Sequence, residues 1–260
     1  MNILEKIATT KREEVAAMKR LVPERTLVVE AYSVLRSVLS MSRSILRHYP
    51  GIIAEHKRRS PSKGEIKPMS DVGKIAEAYA SNGAAAMSVL TDTPYFGGSL
   101  ADLAVAREKA PRLPLLRKEF VVDEYQIYQA RLMGADAVLL IAALLDADTL
   151  QRFNDTAHSL GMETLVEVHD AKEILKVPED ADMVGVNNRD LTSFSINIGN
   201  SARLVDMLPE GIVKVAESGI QNAEDIDRLR SVGFDGFLIG EALMSQPDPG
   251  AALRANRLKL

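Results

Sequence analysis

The sequence predicts a closed (β/α)8 barrel of the α/β class, residues 51–260, preceded by an N-terminal helical extension, residues 1–50. Eight short apolar runs alternate with longer segments of helical period from Ile52 onward, which is typical of repeated strand–helix units around a parallel sheet. Closure into a barrel explains both the number of strands and the lack of a polar edge strand. Barrels of about this length are commonly one domain, so we expect residues 1–260 to form a single domain.

The extension lacks the alternation of strands and helices. Its apolar spacing predicts one amphipathic helix over residues 3–21 and a second around residues 31–47. Pro23 and Pro50 punctuate these segments. We expect both helices to pack against the barrel.

The barrel elements follow in order along the chain. The predicted strands, rich in β-branched residues and leucine, cover residues 52–57, 85–90, 114–120, 137–142, 163–168, 183–188, 212–218 and 236–240. Several of the helical segments between them open on Asp or Asn, which cap free N–H groups, and close on Gly, which tolerates a left-handed turn. The clearest examples are residues 71–83, 123–134, 146–161 and 222–233.

Composition and charge exclude several classes of function. With no cysteine, the chain has neither disulfides nor thiolate zinc sites, and it is compatible with a reducing cytoplasm. A formal net charge of -4 argues against nucleic-acid binding, which needs a local excess of Lys and Arg. The one basic cluster, KRRSPSK at residues 57–63, is interpreted as a solvated loop or as a site for a small anion.

Two further features argue against secretion and against membrane insertion. Glu5 and Lys6 interrupt the run that would have to form the apolar core of a signal peptide. The longest apolar run, residues 137–145, is far shorter than the roughly 18 residues that a membrane helix needs. We therefore expect a soluble cytoplasmic protein.

Polar side chains lie where the predicted strands end. In a (β/α)8 barrel the reacting groups occupy the carboxyl ends of the strands and the loops that follow. The candidates there are Glu55, Lys57, Lys118, Phe120, Glu167, Asn187, Arg189, Glu217 and Ser218. Taken singly, Glu55 with a lysine fits a structural ion pair, Asn187 fits a turn and Phe120 fits the core. Agreement among five strands favours a functional site.

The last two strands carry a second pattern, which indicates a phosphate site. AESGI at residues 216–220 and LIGEAL at residues 238–243 each place a glycine just past a strand. Barrels commonly bind phosphate through backbone N–H groups in these two loops, and glycine lets the backbone approach the anion. Two such glycines favour a phosphorylated ligand.

The four histidines do not predict a metal site, because none has a ligand partner at useful spacing. His56 should point away from Glu55 and Lys57, since successive strand residues alternate sides. His169 follows the fifth strand, and we expect it to be a solvated loop residue.

Six segments identify a family. IIAEHKRRSPSKG, LLRKEF, LVEVHD, VGVNNRDL, VAESGI and FLIGEALM resemble, in order and spacing, the conserved segments of indole-3-glycerol phosphate synthases. The resemblance runs from about residue 50 to 245, and the N-terminal helices also resemble the extension of that family. It implies ring closure of 1-(2-carboxyphenylamino)-1-deoxyribulose 5-phosphate with loss of carbon dioxide and water, without a cofactor or metal.

The resemblance also implies residue roles. Lys118 would be the general acid that protonates the ribulose carbonyl, and Glu167 the general base for dehydration and rearomatisation. Lys57 would hold the substrate carboxylate, with the division of acid duty between the two lysines left open. Glu55 and Asn187 would orient substrate and lysines. The remaining implied contacts are Phe120 and Leu139 for the aryl ring, Pro61, Arg189 and Glu217 for the substrate, and Ser60, Ser218, Gly219, Ile239, Gly240 and Glu241 for sugar and phosphate.

Two residues depart from the family pattern. His56 replaces an apolar residue and should affect packing more than catalysis, whereas Glu241 stands where some relatives have Ser and should contribute its backbone N–H.

The pKa values of the site residues should also be shifted. We expect neighbouring cations and the exclusion of water to lower the pKa of a site lysine, and the apolar barrel to raise the pKa of a site glutamate. The loop SPSKG, residues 60–64, is expected to close over the ligand.

Two other functions remain to be weighed. The isomerase that precedes this step typically uses a Cys and Asp pair, and this chain has no Cys. A non-catalytic phosphate-binding barrel would keep the glycine loops but lose Lys118 or Glu167, and both are present. The expected partner is a small anionic, phosphorylated substrate. A monomer is expected, with an oligomer left open.

Overall fold

Eight parallel strands close into a barrel in the computed structural model, which describes residues 3–190 and 194–258. The strands are β1 (Gly51–His56), β2 (Ala86–Leu90), β3 (Leu115–Lys118), β4 (Ala137–Ile141), β5 (Glu163–Val168), β6 (Met183–Asn187), β7 (Val213–Glu217) and β8 (Gly236–Ile239). Strand β1 completes the ring, because Ile53 lies opposite both Ala86 of β2 and Leu238 of β8. The predicted fold class is confirmed.

The strands are buried on both faces, and their side chains alternate between two apolar layers. In β4, Val138 and Leu140 belong to the layer between strands and helices, whereas Leu139 and Ile141 belong to the layer inside the barrel. This period of two is the geometry of a strand. Residues at inward positions near the carboxyl ends of the strands therefore meet at one mouth of the barrel.

Helices surround the barrel in the predicted order. They are α1 (Ile3–Leu21), α2 (Glu24–Ser33), α3 (Met41–Arg47), α4 (Val72–Ser81), α5 (Thr93–Phe96), α6 (Leu100–Lys109), α7 (Glu124–Leu132), α8 (Ala147–Ser159), α9 (Ala171–Ile174), α10 (Gly199–Leu204), α11 (Ala223–Ser231), α12 (Glu241–Met244) and α13 (Pro249–Leu258). Helices α4 and α6 to α11 connect successive strands, and α13 follows β8. The one-turn helices α5 and α12 stand in loops at the mouth.

The predicted helix boundaries depend on local chemistry that the structure confirms. The side chains of Asp71, Asp123, Asp146 and Asn222 each accept a hydrogen bond from a backbone N–H in the first turn of the helix that follows. The glycines predicted to end these helices, Gly83, Gly134, Gly161 and Gly233, all have positive φ. This is the conformation in which a Cβ is unfavourable.

The N-terminal extension differs from the prediction in its second half. The helix expected around residues 31–47 is interrupted: α2 ends at Ser33, residues 34–40 are extended or bent, and α3 begins at Met41. The reason is a tertiary anchor, because Arg36 Nη1 lies 2.7 Å from the fully buried Asp136 carboxylate and Leu39 N donates to the same carboxylate. Ser40 then caps α3.

Two other features of the fold affect the site. Strand β3 ends at Lys118, two residues earlier than predicted, because the Phe120 N–H bonds to the Glu119 side chain instead of to a neighbouring strand. In the part of the chain that the structure describes, no helix is both long enough and apolar enough to cross a membrane.

Candidate active site

A cavity of about 1170 Å³, counted out to its open mouth, occupies the carboxyl end of the barrel. All of the predicted site residues line it: Glu55, Lys57, Ser60, Pro61, Lys118, Phe120, Leu139, Glu167, Asn187, Arg189, Glu217, Ser218, Gly219, Ile239, Gly240 and Glu241. They come from seven of the eight strands, all except β2, and from the loops that follow them. The barrel thus brings together residues that are up to 186 positions apart, from Glu55 to Glu241.

The centre of the cavity holds one ammonium between two carboxylates. Lys118 Nζ lies 2.9 Å from Glu167 Oε2, and it also hydrogen-bonds to Glu217 Oε2. The three groups arrive from β3, β5 and β7; the two carboxylates are almost wholly buried, and the Lys118 side chain is 13% exposed. Room for Glu217 depends on Gly185 of β6, because a Cβ at that position would overlap Glu217 Oε1.

These contacts reverse the expected direction of two pKa shifts. Burial disfavours the Lys118 ammonium, but Glu167 and Glu217 outweigh burial and raise the pKa of Lys118. Burial likewise opposes the Glu167 carboxylate, yet Lys118 and then His169 lower the pKa of Glu167. The expectation was wrong because the nearest charge to each group has the opposite sign, which favours the ionised form.

The second carboxylate shifts in the direction that we expected of a site glutamate. Burial raises the pKa of Glu217 to about 7, and repulsion from Glu167 acts in the same direction. The attraction of Lys118 opposes this shift but does not cancel it. Two carboxylates around a single ammonium cannot both be ionised without an uncompensated charge. Glu217 is therefore the group of this cluster that exchanges a proton near neutral pH.

Glu55 near the end of β1 and Lys57 just after it face the same side, as the period of two predicts. Lys57 Nζ lies 2.5 Å from Glu55 Oε1, so the two form an ion pair that faces the cavity. Gly240 leaves the space for this carboxylate, since a Cβ there would overlap Glu55 Oε1. His56 points outward as expected, where its Nε2 is 3.0 Å from Ser70 Oγ and burial lowers its pKa to about 4.

His169 is not the solvated loop residue that we expected. Its side chain is 14% exposed, its Nε2 lies 3.4 Å from Glu167 Oε1, and its Nδ1 lies 3.1 Å from Glu173 Oε2. Asn187 contacts the same glutamate by donating its Nδ2 to Glu167 Oε1 at 3.1 Å. Glu167 and His169 are two residues apart, as Glu55 and Lys57 are. The same period of two could therefore have predicted that Glu167 and His169 face the same side.

The loop after β1 lies across the cavity mouth. It forms a small hairpin in which Arg59–Ser60 pair with Gly64–Glu65, and Ser60 is the buried residue of the four. Arg189 Nη1 donates to Ser62 Oγ at 3.1 Å, which joins this loop to the loop after β6. Ser60, Pro61 and Ser62 of the SPSKG segment line the cavity, and closure of this loop over a ligand stays a prediction.

Glu241 does more than the sequence indicated. Its carboxylate lies 3.2 Å from Lys63 Nζ and 3.7 Å from Arg189 Nη2, so it joins both loops at the mouth. The expected contribution was the backbone N–H alone. Because the Glu241 carboxylate already pairs with these two cations, an incoming anion would have to compete with it for them.

The loop after β7, one of the two loops predicted to bind phosphate, makes a left-handed turn. Ser218 and Gly219 both have positive φ, and a Cβ at Gly219 would lie 2.5 Å from Ile196 Cγ2, so glycine is needed there. Asn188 supports the turn by donating to the Ser218 carbonyl at 3.3 Å. Ile239 differs from its neighbours, because its side chain lies in the outer apolar layer and only its backbone can face the cavity.

Sequence reasoning found Phe120 and Leu139 but missed the apolar lining of the cavity that comes from α1 and α5. Ile3, Leu4 and Ile7 of α1 border it, and so does Phe96 of α5, whose ring centroid lies 5.9 Å from that of Phe120. The apolar face of α1 was visible in the sequence, but nothing there showed where the helix packs. Within residues 3–190 and 194–258, no group of three or more histidines and carboxylates is placed to hold a metal ion.

A family model and two curated relatives agree on one family, and a solved structure shares the fold. A family model described as indole-3-glycerol phosphate synthase matches residues 4–255. Proteins called indole-3-glycerol phosphate synthase from Bacteroides thetaiotaomicron and Neisseria meningitidis serogroup B are 46% and 47% identical to this chain, and the alignments cover 97% and 95% of it and 96% of each relative. The solved structure of 3-hexulose-6-phosphate synthase from Salmonella typhimurium shares the fold, with a TM-score of 0.64 at 16% identity over 80% of this chain and 97% of its own.

Proposed function

The chain belongs to the indole-3-glycerol phosphate synthase family, and we propose that Lys118, Glu167 and Glu217 carry out the chemistry of that family in it. Its activity is that of a carbon–carbon lyase in tryptophan biosynthesis. The observation that most directly supports the residue assignment is the buried Lys118 ammonium, which contacts carboxylates from two other strands at the barrel mouth.

The proposed substrate, 1-(2-carboxyphenylamino)-1-deoxyribulose 5-phosphate, has three parts that match three parts of the cavity. The phosphate would bind the backbone N–H groups of Gly219, Gly240 and Glu241. The aryl ring would pack on Phe120 and Leu139. The aryl carboxylate would pair with Lys57, which then exchanges its Glu55 partner for the substrate.

Ring closure would use Lys118 as the acid. As the aryl carbon bearing the carboxylate attacks the ribulose C2 carbonyl, Lys118 gives a proton to the carbonyl oxygen, which becomes a hydroxyl. The aryl–carboxylate bond then breaks, carbon dioxide leaves, and its electron pair restores the aromatic ring. A lysine held between two carboxylates stays protonated before the reaction, as this role requires.

Dehydration would follow with Glu167 as the base. The hydroxyl leaves as water after it takes a proton from a lysine ammonium, and Glu167 removes a proton from C1 as the indole double bond forms. Which of Lys57 and Lys118 protonates the hydroxyl is left open. Glu217, with a pKa of about 7 and in contact with Lys118, is suited to return a proton to Lys118 after each turnover.

The test is direct, because the chain contains no tryptophan to mask the fluorescence of an indole product. Purified protein is mixed with the substrate, with and without a chelator, and the emission of product is followed. Wild type should form indole-3-glycerol phosphate, and Lys118→Ala should lose at least about 1000-fold in rate while its circular dichroism stays native. A folded wild-type protein that leaves the substrate unchanged would contradict the proposed function.

We also propose that the protein works as a cytoplasmic monomer in which the extension and the barrel form a single domain. The absence of cysteine is compatible with a reducing compartment, and Lys19 of α1 lies 2.8 Å from Asp123 at the start of α7, which ties the extension to the barrel. Light scattering coupled to gel filtration measures the mass. A mass near twice the 28.4 kDa of the chain would contradict the monomer.

A further inference from the structure

Lys11 is a buried cation on the face of α1 that packs against the barrel. Only 3% of the residue is exposed. Its Nζ lies 2.7 Å from Glu14 Oε2, 2.9 Å from Asp92 Oδ1 and 3.3 Å from Glu119 Oε1. Burying an ammonium is costly unless its partners compensate, so this residue has a specific set of contacts to maintain.

One partner of Lys11 controls the loop after β2. Asp92 is fully buried, and its Oδ2 accepts hydrogen bonds from the N–H groups of Tyr95 at 2.8 Å and of Phe96 at 3.1 Å. These bonds cap the one-turn helix α5. The position of the Phe96 ring in the cavity therefore depends on Asp92.

The other buried partner controls the loop after β3. Glu119 lies between Lys118 and Phe120 in the chain, and its Oε1 accepts the Phe120 N–H at 2.9 Å. Its Oε2 accepts from Thr91 Oγ1 at 2.8 Å, which fastens it to the end of β2. The oxygen that Lys11 contacts is thus the oxygen that sets the backbone of Phe120.

We propose that Lys11 is a positioning residue for the aromatic wall of the cavity, defined as Phe96 and Phe120. By pairing with Asp92 and Glu119 together, it fixes the two loops that carry these rings at one separation. This inference rests on the proposed function, in which the wall receives the aryl ring of the substrate. The same helix supplies Ile3, Leu4 and Ile7 to the cavity, so α1 both lines the site and orders it.

A second lysine on the same helix provides a matched control. Lys19 lies two turns further along α1 and pairs with Asp123 at 2.8 Å and Glu24 at 3.0 Å. Asp123 caps α7, so this pair also joins the extension to the barrel. Lys19 is 31% exposed in its side chain and does not border the cavity.

The experiment compares Lys11→Met, Lys11→Arg and Lys19→Met with wild type. For each we measure kcat, KM and the affinity of the substrate analogue whose ribulose carbonyl has been reduced to an alcohol, which cannot cyclise. Assays are run well below the lowest melting temperature of the set. Lys11→Met should raise both KM and the dissociation constant of the analogue by at least tenfold. The change in kcat should be smaller, because the aromatic wall is used in binding.

The remaining variants separate positioning from stability. Lys11→Arg should recover most of the affinity, since the guanidinium keeps a positive charge against Asp92 and Glu119. Lys19→Met should melt at a lower temperature but bind the analogue as wild type does. Lys11→Met with wild-type KM and analogue affinity would overturn the inference.

A second variant covers the case in which Lys11→Met does not fold. Asp92→Asn keeps an oxygen that accepts from Tyr95 and Phe96 but removes the ion pair with Lys11. It should raise KM about threefold or more, and an unchanged KM would overturn the inference equally. Failure of wild type to turn over the substrate would instead count against the proposed function, so the two failures are distinguishable.

Discussion

At the scale of single residues, the site combines one ammonium with two carboxylates whose pKa values are shifted in opposite directions. Glu167 is held ionised by Lys118, as a base must be before it accepts a proton. Glu217 is shifted toward the protonated form by burial. Two glutamates with different environments around one lysine are therefore suited to the different roles that we propose for them.

Replacing Glu167 by Gln should remove the base without changing the shape of the site. We expect kcat to fall by about 100-fold to 10,000-fold with a change in KM of less than about threefold, since the contact is used in the transition state. Steady-state kinetics with the fluorescent product measures both constants.

Glu163→Gln is the matched control for this prediction. Glu163 begins the same strand at the opposite end of the barrel, where its carboxylate accepts from Ser40 and Ser42. This variant should lower the melting temperature and leave kcat unchanged. Near-normal kcat in Glu167→Gln would refute the base assignment.

The raised pKa of Glu217 predicts a pH dependence of stability. Between its ordinary value near 4.5 and about 7, the folded protein holds a proton on Glu217 that the unfolded chain releases. The contribution of this group is therefore fully present below about pH 4.5 and is lost as the pH rises toward 7. Urea unfolding of wild type and Glu217→Gln at several pH values from 5 to 8 tests this. The free energy of unfolding of wild type, relative to that of the variant, should fall as the pH rises. A difference that stays constant with pH would contradict the shift.

At the scale of elements, the loops at the mouth are joined by charge before any ligand binds. Glu241 at the start of α12 reaches Lys63 in the loop after β1 and Arg189 in the loop after β6. A phosphate that binds the backbone beside Glu241 brings a second negative charge to the same two cations. Ligand binding must therefore compete with the carboxylate of the protein itself.

Removing that competitor should tighten phosphate binding. In Glu241→Gln we expect KM, and the inhibition constant of inorganic phosphate, to fall about twofold to fivefold, in keeping with the modest strength of partly exposed ion pairs. The gain should shrink at high salt, because salt screens these charges. Weaker phosphate inhibition in the variant would show that Glu241 helps to hold the anion.

At the scale of the whole molecule, the extension belongs to the site as well as to the fold. The strands that close the barrel all lie within residues 51–239, outside α1. Yet α1 buries Leu4, Ile7, Ala8 and Val15, and it brings Lys11 to the loops after β2 and β3. If Lys11 positions the cavity wall as we propose, the extension contributes both to stability and to the order of that wall.

Deleting residues 2–21 should leave a closed barrel that binds poorly. We expect native-like circular dichroism, a melting temperature lower by roughly 5 °C or more because several kcal/mol of apolar burial is lost, and KM raised at least tenfold. Wild-type KM in a soluble truncated protein would contradict a role of α1 in the site.

Much of the fold and of the site membership was predictable from the sequence. Strand positions, helix caps and the terminal glycines depend on residues within a few positions of one another, so their chemistry is visible in the linear order. The period of two also placed Glu55 and Lys57 inside and His56 outside. Every predicted site residue lines the cavity, although their individual roles stay predictions.

Only the tertiary structure decided how those residues interact. Lys118 meets Glu217 across 99 positions, Lys11 meets Asp92 and Glu119, and Arg36 interrupts a helix by reaching Asp136. The direction of each pKa shift follows from such pairs, and the sequence alone led us to expect the opposite for Lys118 and Glu167. The physical reason is that local order is determined by backbone geometry and capping, whereas electrostatics depends on distances that exist only after the barrel has closed.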